Sequence, residues 1–447
     1  MTLLARVVPL MLCASFALAA DDDSDVGVGV NPELPAPHRQ IIPKVDVAPA
    51  VGWSGDAKPV PARGWKVSAF ATGLDHPRSI LTLPNGDVLV AETNGPERPD
   101  DRKGIKGAVM KSKMKKAGAG TPSPDRIVLL RDRDHDGVAE KKSVFAEKLS
   151  SPFGMALVGD AFYVANTDSL VRFHYKDGET KLSGEPETVT KLPGGTINHH
   201  WTKSLAASAD GKRLYVGVGS NSNVAENGIE AEKDRAAILE IDAKTGAARV
   251  YASGLRNPAG LTLGPDGKTL WAAVNERDEI GDDLVPDYIT AIREGAFYGW
   301  PYSYYGQHVD DRVKPQKPDL VAKAVVPDFG LGSHRAPLGI AIAHGDGLPP
   351  DFRDGAFVGE HGSWNRKPPV GYKVVFVPFE NGKPAAPITD VLTGFLDDKG
   401  QAQGRPVGVA LDGKGGLLVA DDVGNAVWRV SPDPNVVAER KRASKQR

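Results

Sequence analysis

Six times along this chain a turn leads into a Pro or small residue, then an alternating apolar strand, a Gly turn and a second strand. The copies begin at Leu74 (LDHPRSILTLPNGDVLVAE), Leu149 (LSSPFGMALVGDAFYVAN), Asn198 (NHHWTKSLAASADGKRLYVGVG), Gly254 (GLRNPAGLTLGPDGKTLWAAVNE), His334 (HRAPLGIAIAHGDGLPPDFRDGAFVGEH) and Gly404 (GRPVGVALDGKGGLLVADD). Each copy shows two strands and leaves room for two more before the next begins. Neither half of such a unit can bury its apolar face alone, so the pattern predicts an all-β, six-bladed β-propeller of four-stranded antiparallel blades. Turn residues such as Asn85-Gly86 and Asp266-Gly267 suit the tight hairpins between the first two strands. Pairing of Trp65–Phe70 beside Val427–Val430 would close the ring and leave no free edge.

Composition agrees with a turn-rich body: of 447 residues, 50 are Gly and 35 are Pro. The formal charge of −2 gives no global attraction to nucleic acid or to a membrane surface. Residues 1–20, with Arg6, an apolar run and Ala17-Leu18-Ala19, read as a cleaved secretory signal peptide and imply a periplasmic protein with no membrane span left in its mature form. The single cysteine, Cys13, lies inside that segment, which removes disulfides, thiol nucleophiles and Cys-ligated metals from consideration. Residues 21–63 read as an extended Pro-rich leader, 64–431 as the propeller, and 432–447 as a basic disordered tail.

Because strands alternate in direction, the loops entering each inner strand and those leaving each second strand gather at one mouth of the channel. The unusual residues fall in those loops. His200, Arg256 and Arg335 share one repeat position, and Arg405 lies one place later. Cations from four blades converging on one axis call for an anionic ligand. Like charge around His200 would keep its imidazole neutral, as a general base requires; alternation turns the adjacent His199 away. The loop AAVNERDEIGDDLVPDYITAIREGAFYGWP offers the dense hard oxygens that suit Ca²⁺, or a plain solvated acidic loop, and then the aromatics Tyr298, Trp300 and Tyr302. DRDHDGVAE, with Asp132, Asp134 and Asp136, lies on the opposite face and reads as a β-turn or at most a structural Ca²⁺ site, since Ser143 stands where an EF-hand needs its last acid. The lysine-rich stretch Lys103–Lys116 rises on the mouth face as a solvated loop, a lid or a docking patch for an acidic redox partner.

From Trp65 to Val430 the chain resembles the glucose/sorbosone dehydrogenases, periplasmic six-bladed propellers that bind pyrroloquinoline quinone (PQQ) and Ca²⁺. The resemblance rests on GLRNPAG, the acidic loop running into FYGWP, NHHW, and GRPVGVALD…LLVADD; the texture, including VGSNSNVAENG, is closest to the L-sorbosone dehydrogenase branch. It implies His200 as catalytic base and Arg256 and Asn257 as the quinone-contacting pair, with Arg256 also stabilising the reduced cofactor's oxyanion. It further implies Arg405 on a cofactor carboxylate, Tyr298 as the aromatic of its motif, and main-chain oxygens of Asp278 and Glu279 as Ca²⁺ ligands. The family's fifth-repeat lysine has no clear counterpart, and His361 or Arg366 stands nearest; Arg335 completes the cationic set. Two departures bear on substrate and rate: Ser220 replaces the Asp that supports the base, and KLSSPFG lacks a substrate-contacting Gln. The implied reaction oxidises a sugar or sugar-derived aldehyde. With no haem motif in the chain, electrons pass to an external acceptor such as a periplasmic cytochrome. A calcium-dependent lactonase and a non-catalytic sugar- or protein-binding propeller are the alternatives; the first wants acidic or amide side chains around an axial metal, the second needs no base.

Overall fold

In the computed structural model, described for residues 25–38, 45–97, 111–118, 120–434 and 436, six antiparallel sheets stand around a channel. The inner strands (A) are Pro77–Thr82, Gly154–Val158, Lys203–Ala207, Asn257–Leu263, Pro337–Ala343 and Pro406–Leu411, one for each of blades 1 to 6. Each pairs with a second strand (B), across a short turn in every blade but the fifth, where residues 344–354 intervene, and strands C and D complete the blade. Blade 6 takes its outermost strand from the start of the domain: Trp65–Ala71 pairs with Ala426–Pro432, Val67 opposite Val430. The ring is thus closed by hydrogen bonds between its two ends.

The small residue two places after each repeat's Pro (Thr202 in blade 3) has a steric cause. A Cβ on Gly339 would lie 2.3 Å from the Val407 carbonyl oxygen, on Gly408 2.4 Å from that of Arg78, and on Gly154 2.5 Å from Leu205 N. At these points the backbone of one inner strand rests directly on the next, and only blades 1 and 3 fill the position with a larger residue, Ser79 and Ser204. Between blades, apolar layers such as Val374, Phe376, Leu417, Val419 and Val430 are sealed from water.

Residues 25–38 and 45–63 do more than lead in. Val28–Gly29 adds a fifth strand to blade 4, and Val60–Pro61 adds an outer strand to blade 5. Between them the chain crosses the mouth-side loops: His38 N–H donates to Ile280 O, Asp46 N–H to Trp364 O, and Val51 N–H to Ala402 O. Trp53 then packs edge-on against Phe395 and Trp428 and donates its indole N–H to Asp421 at 2.7 Å. The leader is therefore a strap over blades 4 to 6. Residues 111–116 of the lysine-rich stretch are helical, and Lys113 Nζ donates to Val45 O of the strap; 103–110 lie outside the described residues, as do the signal-peptide segment and 437–447 of the tail.

Candidate active site

His200 lies in the loop entering blade 3. Its Nδ1 is 2.9 Å from the main-chain oxygen of Ser220 and 3.0 Å from Ser220 Oγ. A carbonyl only accepts, so Nδ1 carries the hydrogen and Nε2 keeps its lone pair. Ser220 Oγ donates to Ser222 O, which fixes the serine as well. Gly219 makes this approach possible, since a Cβ there would meet His200 Cβ at 2.4 Å and Asn257 Oδ1 at 2.5 Å. Burial, then the charge of Arg256, hold the imidazole well below the ordinary histidine range, so it is neutral at pH 7. Where the resemblance implies an Asp to orient the imidazole, the Ser220 carbonyl holds it instead.

Arg256, at the matching position of blade 4, spends all five N–H groups on the protein. Nε donates to Asn223 O, Nη1 to the carbonyls of Asn275 and Glu276, and Nη2 to Asn223 Oδ1 and Asp278 Oδ2 at 3.0 Å each. Asn223 is a hub that sequence reasoning missed: its oxygens also take the indole N–H of Trp300 and the Asp278 amide, and its Nδ2 donates to Asp278 O. The text VGSNSNVAENG marked the segment without marking which residue mattered.

Asp278 is ringed by donors. His334 Nδ1 stands 3.2 Å and Asn365 Nδ2 2.9 Å from Oδ1, opposite Arg256 on Oδ2. Burial alone would raise this carboxyl; Arg256 and His334 hold it well below its usual range instead. Across the mouth Asp422 does the same for three other groups: Arg78 at 2.7 Å, His361 Nε2 at 3.0 Å and His76 Nε2 at 3.7 Å. Burial pushes His361 down to about 4 against the pull of Asp422.

The expectation of a cationic ring without matching acids is therefore corrected. Most of the cations have a buried carboxylate beside them, because charge at this depth is stable only when compensated. Arg335 is 1% exposed and stands 3.6 Å from Glu360, sealed between blades 4 and 5 with no surface for a ligand. Arg366 pairs with Asp283 at 3.0 Å. Tyr298 is fully buried in the blade 4 core; its hydroxyl donates to Ala291 O and accepts the Arg293 N–H, away from the mouth. Glu279 turns its carboxylate to Arg312 at 3.3 Å, and its φ of 74° places it in the left-handed region.

Arg405 differs from the rest. Its Nη2 donates to the Tyr372 hydroxyl at 2.7 Å and its guanidinium lies 4.9 Å from that ring's centre, but no carboxylate of the described residues pairs with it. Its Nε is buried without a partner, and so are Asn257 Oδ1, Asn365 Oδ1 and Arg366 Nε. Each such group costs free energy unless something else hydrogen-bonds to it. A cation without a carboxylate partner, with unspent donors and acceptors at the same mouth, would suit a polar, anionic ligand.

On the opposite face Asp132, Asp134, Asp136 and Glu140 bring their oxygens within 4.8 Å of one another. Their carboxylates cap the turn's own amides, Asp132 that of Gly137 and Asp134 that of Asp136, which is the plain-turn reading.

Residues 108–363 match the family described as Domain of unknown function (DUF7133), and the chain belongs to it. Residues 310–433 match the TrAA12-like family. An uncharacterized protein of Borreliella burgdorferi is 29% identical over 295 residues, 64% of this chain and 76% of its own length. The pyrroloquinoline quinone-dependent pyranose dehydrogenase of Coprinopsis cinerea is 23% identical over 82% of this chain, which spans about half (54%) of that relative's length. The structure of its PQQ domain superposes with a TM-score of 0.67 at 21% identity, over 86% of this chain and all of the domain. The calcium structure of the Trichoderma reesei family AA12 enzyme gives 0.68 at 20%, over 87% and 99%. These likenesses establish the six-bladed fold.

Proposed function

We propose that this DUF7133 member is a PQQ-dependent dehydrogenase that oxidises a sugar or sugar-derived aldehyde, sorbosone- or aldose-like, with Ca²⁺ assisting and an external acceptor taking the electrons. The observation that carries the reading is the fixed tautomer of His200: a neutral imidazole whose Nδ1–H is held by a carbonyl and whose Nε2 is left to accept a proton. The names of the fungal relatives support the same chemistry.

The residues present fit the cofactor. PQQ is a tricarboxylate, and Arg405, which has no carboxylate partner among the described residues, and the partnerless Arg366 Nε are donors suited to carboxylates; Asn257 and Asn365 offer further polar contacts. Main-chain oxygens of Asp278 and Glu279 would hold Ca²⁺. When bound, the quinone supplies the hydride acceptor and the metal polarises its carbonyl. The protein's part is proton transfer and positioning: His200 Nε2 takes the hydroxyl proton of the substrate, and Arg256 and Asn223 hold the blade 3 and blade 4 loops in register around it. The lactonase alternative gains nothing, since the one acidic grouping among the described residues close enough to hold an ion lies on the other face. The signal-like sequence of residues 1–20 supports a periplasmic setting, where a cytochrome is a suitable acceptor.

The test is reconstitution of the purified chain with PQQ and Ca²⁺, followed by spectra of the quinone on adding aldoses. Appearance of the reduced-quinone spectrum is expected; an unchanged spectrum with a panel of aldoses and aldehydes overturns the reading.

A further inference from the structure

Among the described residues the mouth has one low side. Strands B and C are joined by residues 93–125 in blade 1, 219–236 in blade 3, 276–285 in blade 4 and 361–372 in blade 5. In blade 2 only 166–168 join Ala161–Ala165 to Ser169–His174. Blade 6 also has a short connection, 422–425, but the strap lies over it through Trp53. Among the described residues blade 2 has neither cover.

Trp201 stands at that opening. It follows His200 directly, yet the two side chains diverge: His200 turns to its own blade's Ser220, and Trp201 reaches back across blade 2 to blade 1. The Arg78 guanidinium lies 5.8 Å from the indole centre, within cation–π range, and Phe153 meets the ring edge-on at 6.1 Å. A Cβ on Gly95 would be 2.9 Å from the indole nitrogen, so Gly95 is shaped to the ring. The backbone is clamped too. Trp201 O accepts from Thr167 Oγ1 at 3.1 Å and from Nζ of Lys203 at 3.0 Å, a lysine with no exposed surface. The ring is nevertheless only half-buried, and its N–H finds no acceptor among the described residues. A rigid aromatic face with a spare donor, beside a base and at the open side of the mouth, is suited to the C–H face and hydroxyls of a pyranose.

Resting on the dehydrogenase reading, we propose that Trp201 is the specificity-determining residue for substrate, stacking on the ring of an aldopyranose as it approaches His200 through the low side at blade 2. The test uses the full chain loaded with PQQ and Ca²⁺, with Trp201→Leu, which removes the aromatic face, and Trp201→Phe, which keeps a face and removes the N–H. Trp201→Leu is expected to raise KM for an aldopyranose about tenfold, the loss of one aromatic contact. Trp201→Phe should raise it less, and glyceraldehyde, which has no ring, should lose less than threefold in either variant. Calorimetric Kd for a methyl aldopyranoside, which cannot be oxidised at its anomeric carbon, should shift in parallel. Equal sugar affinity in Trp201→Leu and the parent overturns the proposal. So does a loss of PQQ affinity with sugar KM unchanged, which would place the indole on the cofactor. If the parent reduces no quinone, the dehydrogenase reading fails, and the glycoside titration still decides Trp201.

Discussion

At the scale of single residues, the mouth separates groups that hold the protein together from groups left for a ligand. Arg256 and Arg405 occupy neighbouring repeat positions, yet the first has five protein acceptors and the second lacks a carboxylate. Arg405→Ala should therefore weaken PQQ binding by roughly 2–5 kcal/mol in a titration of apo-protein, with little change in melting temperature. Arg256→Ala should instead lower stability, by about 3–5 kcal/mol, because Asp278 is left buried without its main partner; calorimetry separates the two outcomes. His200→Gln should keep cofactor affinity and lower kcat by roughly 10²–10⁴-fold. The pH profile has a definite sign. Burial and Arg256 depress the folded-state pKa of His200 below its unfolded value, so the unfolded chain takes up the proton first. The group's contribution to stability is present above the ordinary histidine range and is lost as pH falls through it towards the depressed folded value. Turnover falls only at the lower value, and a kcat profile with a midpoint at or above 6.5 would show that another group limits the rate.

At the scale of elements, the repeat itself is a packing rule. Its small residue marks where one inner strand touches the next, so Gly408→Ala forces a methyl against the Arg78 carbonyl. Since backbone cannot move aside cheaply, the expected cost is about 2–4 kcal/mol, read by denaturant titration; a neutral result would mean that the inner strands separate without cost. The blade pattern was legible because alternation and turn residues act locally. The partners of the charged side chains were not, because register shows where an Arg begins and not which loop it reaches: Arg78 reaches Asp422, 344 residues away, and Arg335 turns inward to Glu360. Tyr298 misled for a similar reason, since an aromatic in a mouth-side motif can as readily fill the blade below.

At the scale of the molecule, the sequence showed six blades and their closure by the first strand, because both are written in periodic apolar text. From sequence the strap is legible only as an extended leader, since it holds on through backbone hydrogen bonds and one tryptophan, which leave no period. Trp53→Ala should destabilise the protein by about 3–5 kcal/mol, as expected for a packed aromatic. It should also weaken PQQ binding, since the same Asp421 that takes the Trp53 indole accepts the main-chain N–H of Arg405; affinity equal to the parent's would uncouple strap and site. Chelation with EDTA, by contrast, should abolish dye reduction and leave circular dichroism nearly unchanged, because hydrogen bonds and apolar layers close the ring without metal. Full activity after stripping would exclude a catalytic Ca²⁺.

The bond from Trp53 to Asp421 joins residues 368 positions apart, and the closing strand pairs Trp65 with Pro432. Contacts of such separation form late, after the loop-closure entropy of nearly the whole domain has been met. The four core strands of blades 1 to 5 each come from continuous chain, whereas blade 6 and the strap must await both ends. Arg405 sits in that last blade, so its part of the mouth is the last part of the molecule to assemble, and a chain interrupted between blades 3 and 6 carries His200 but no completed mouth.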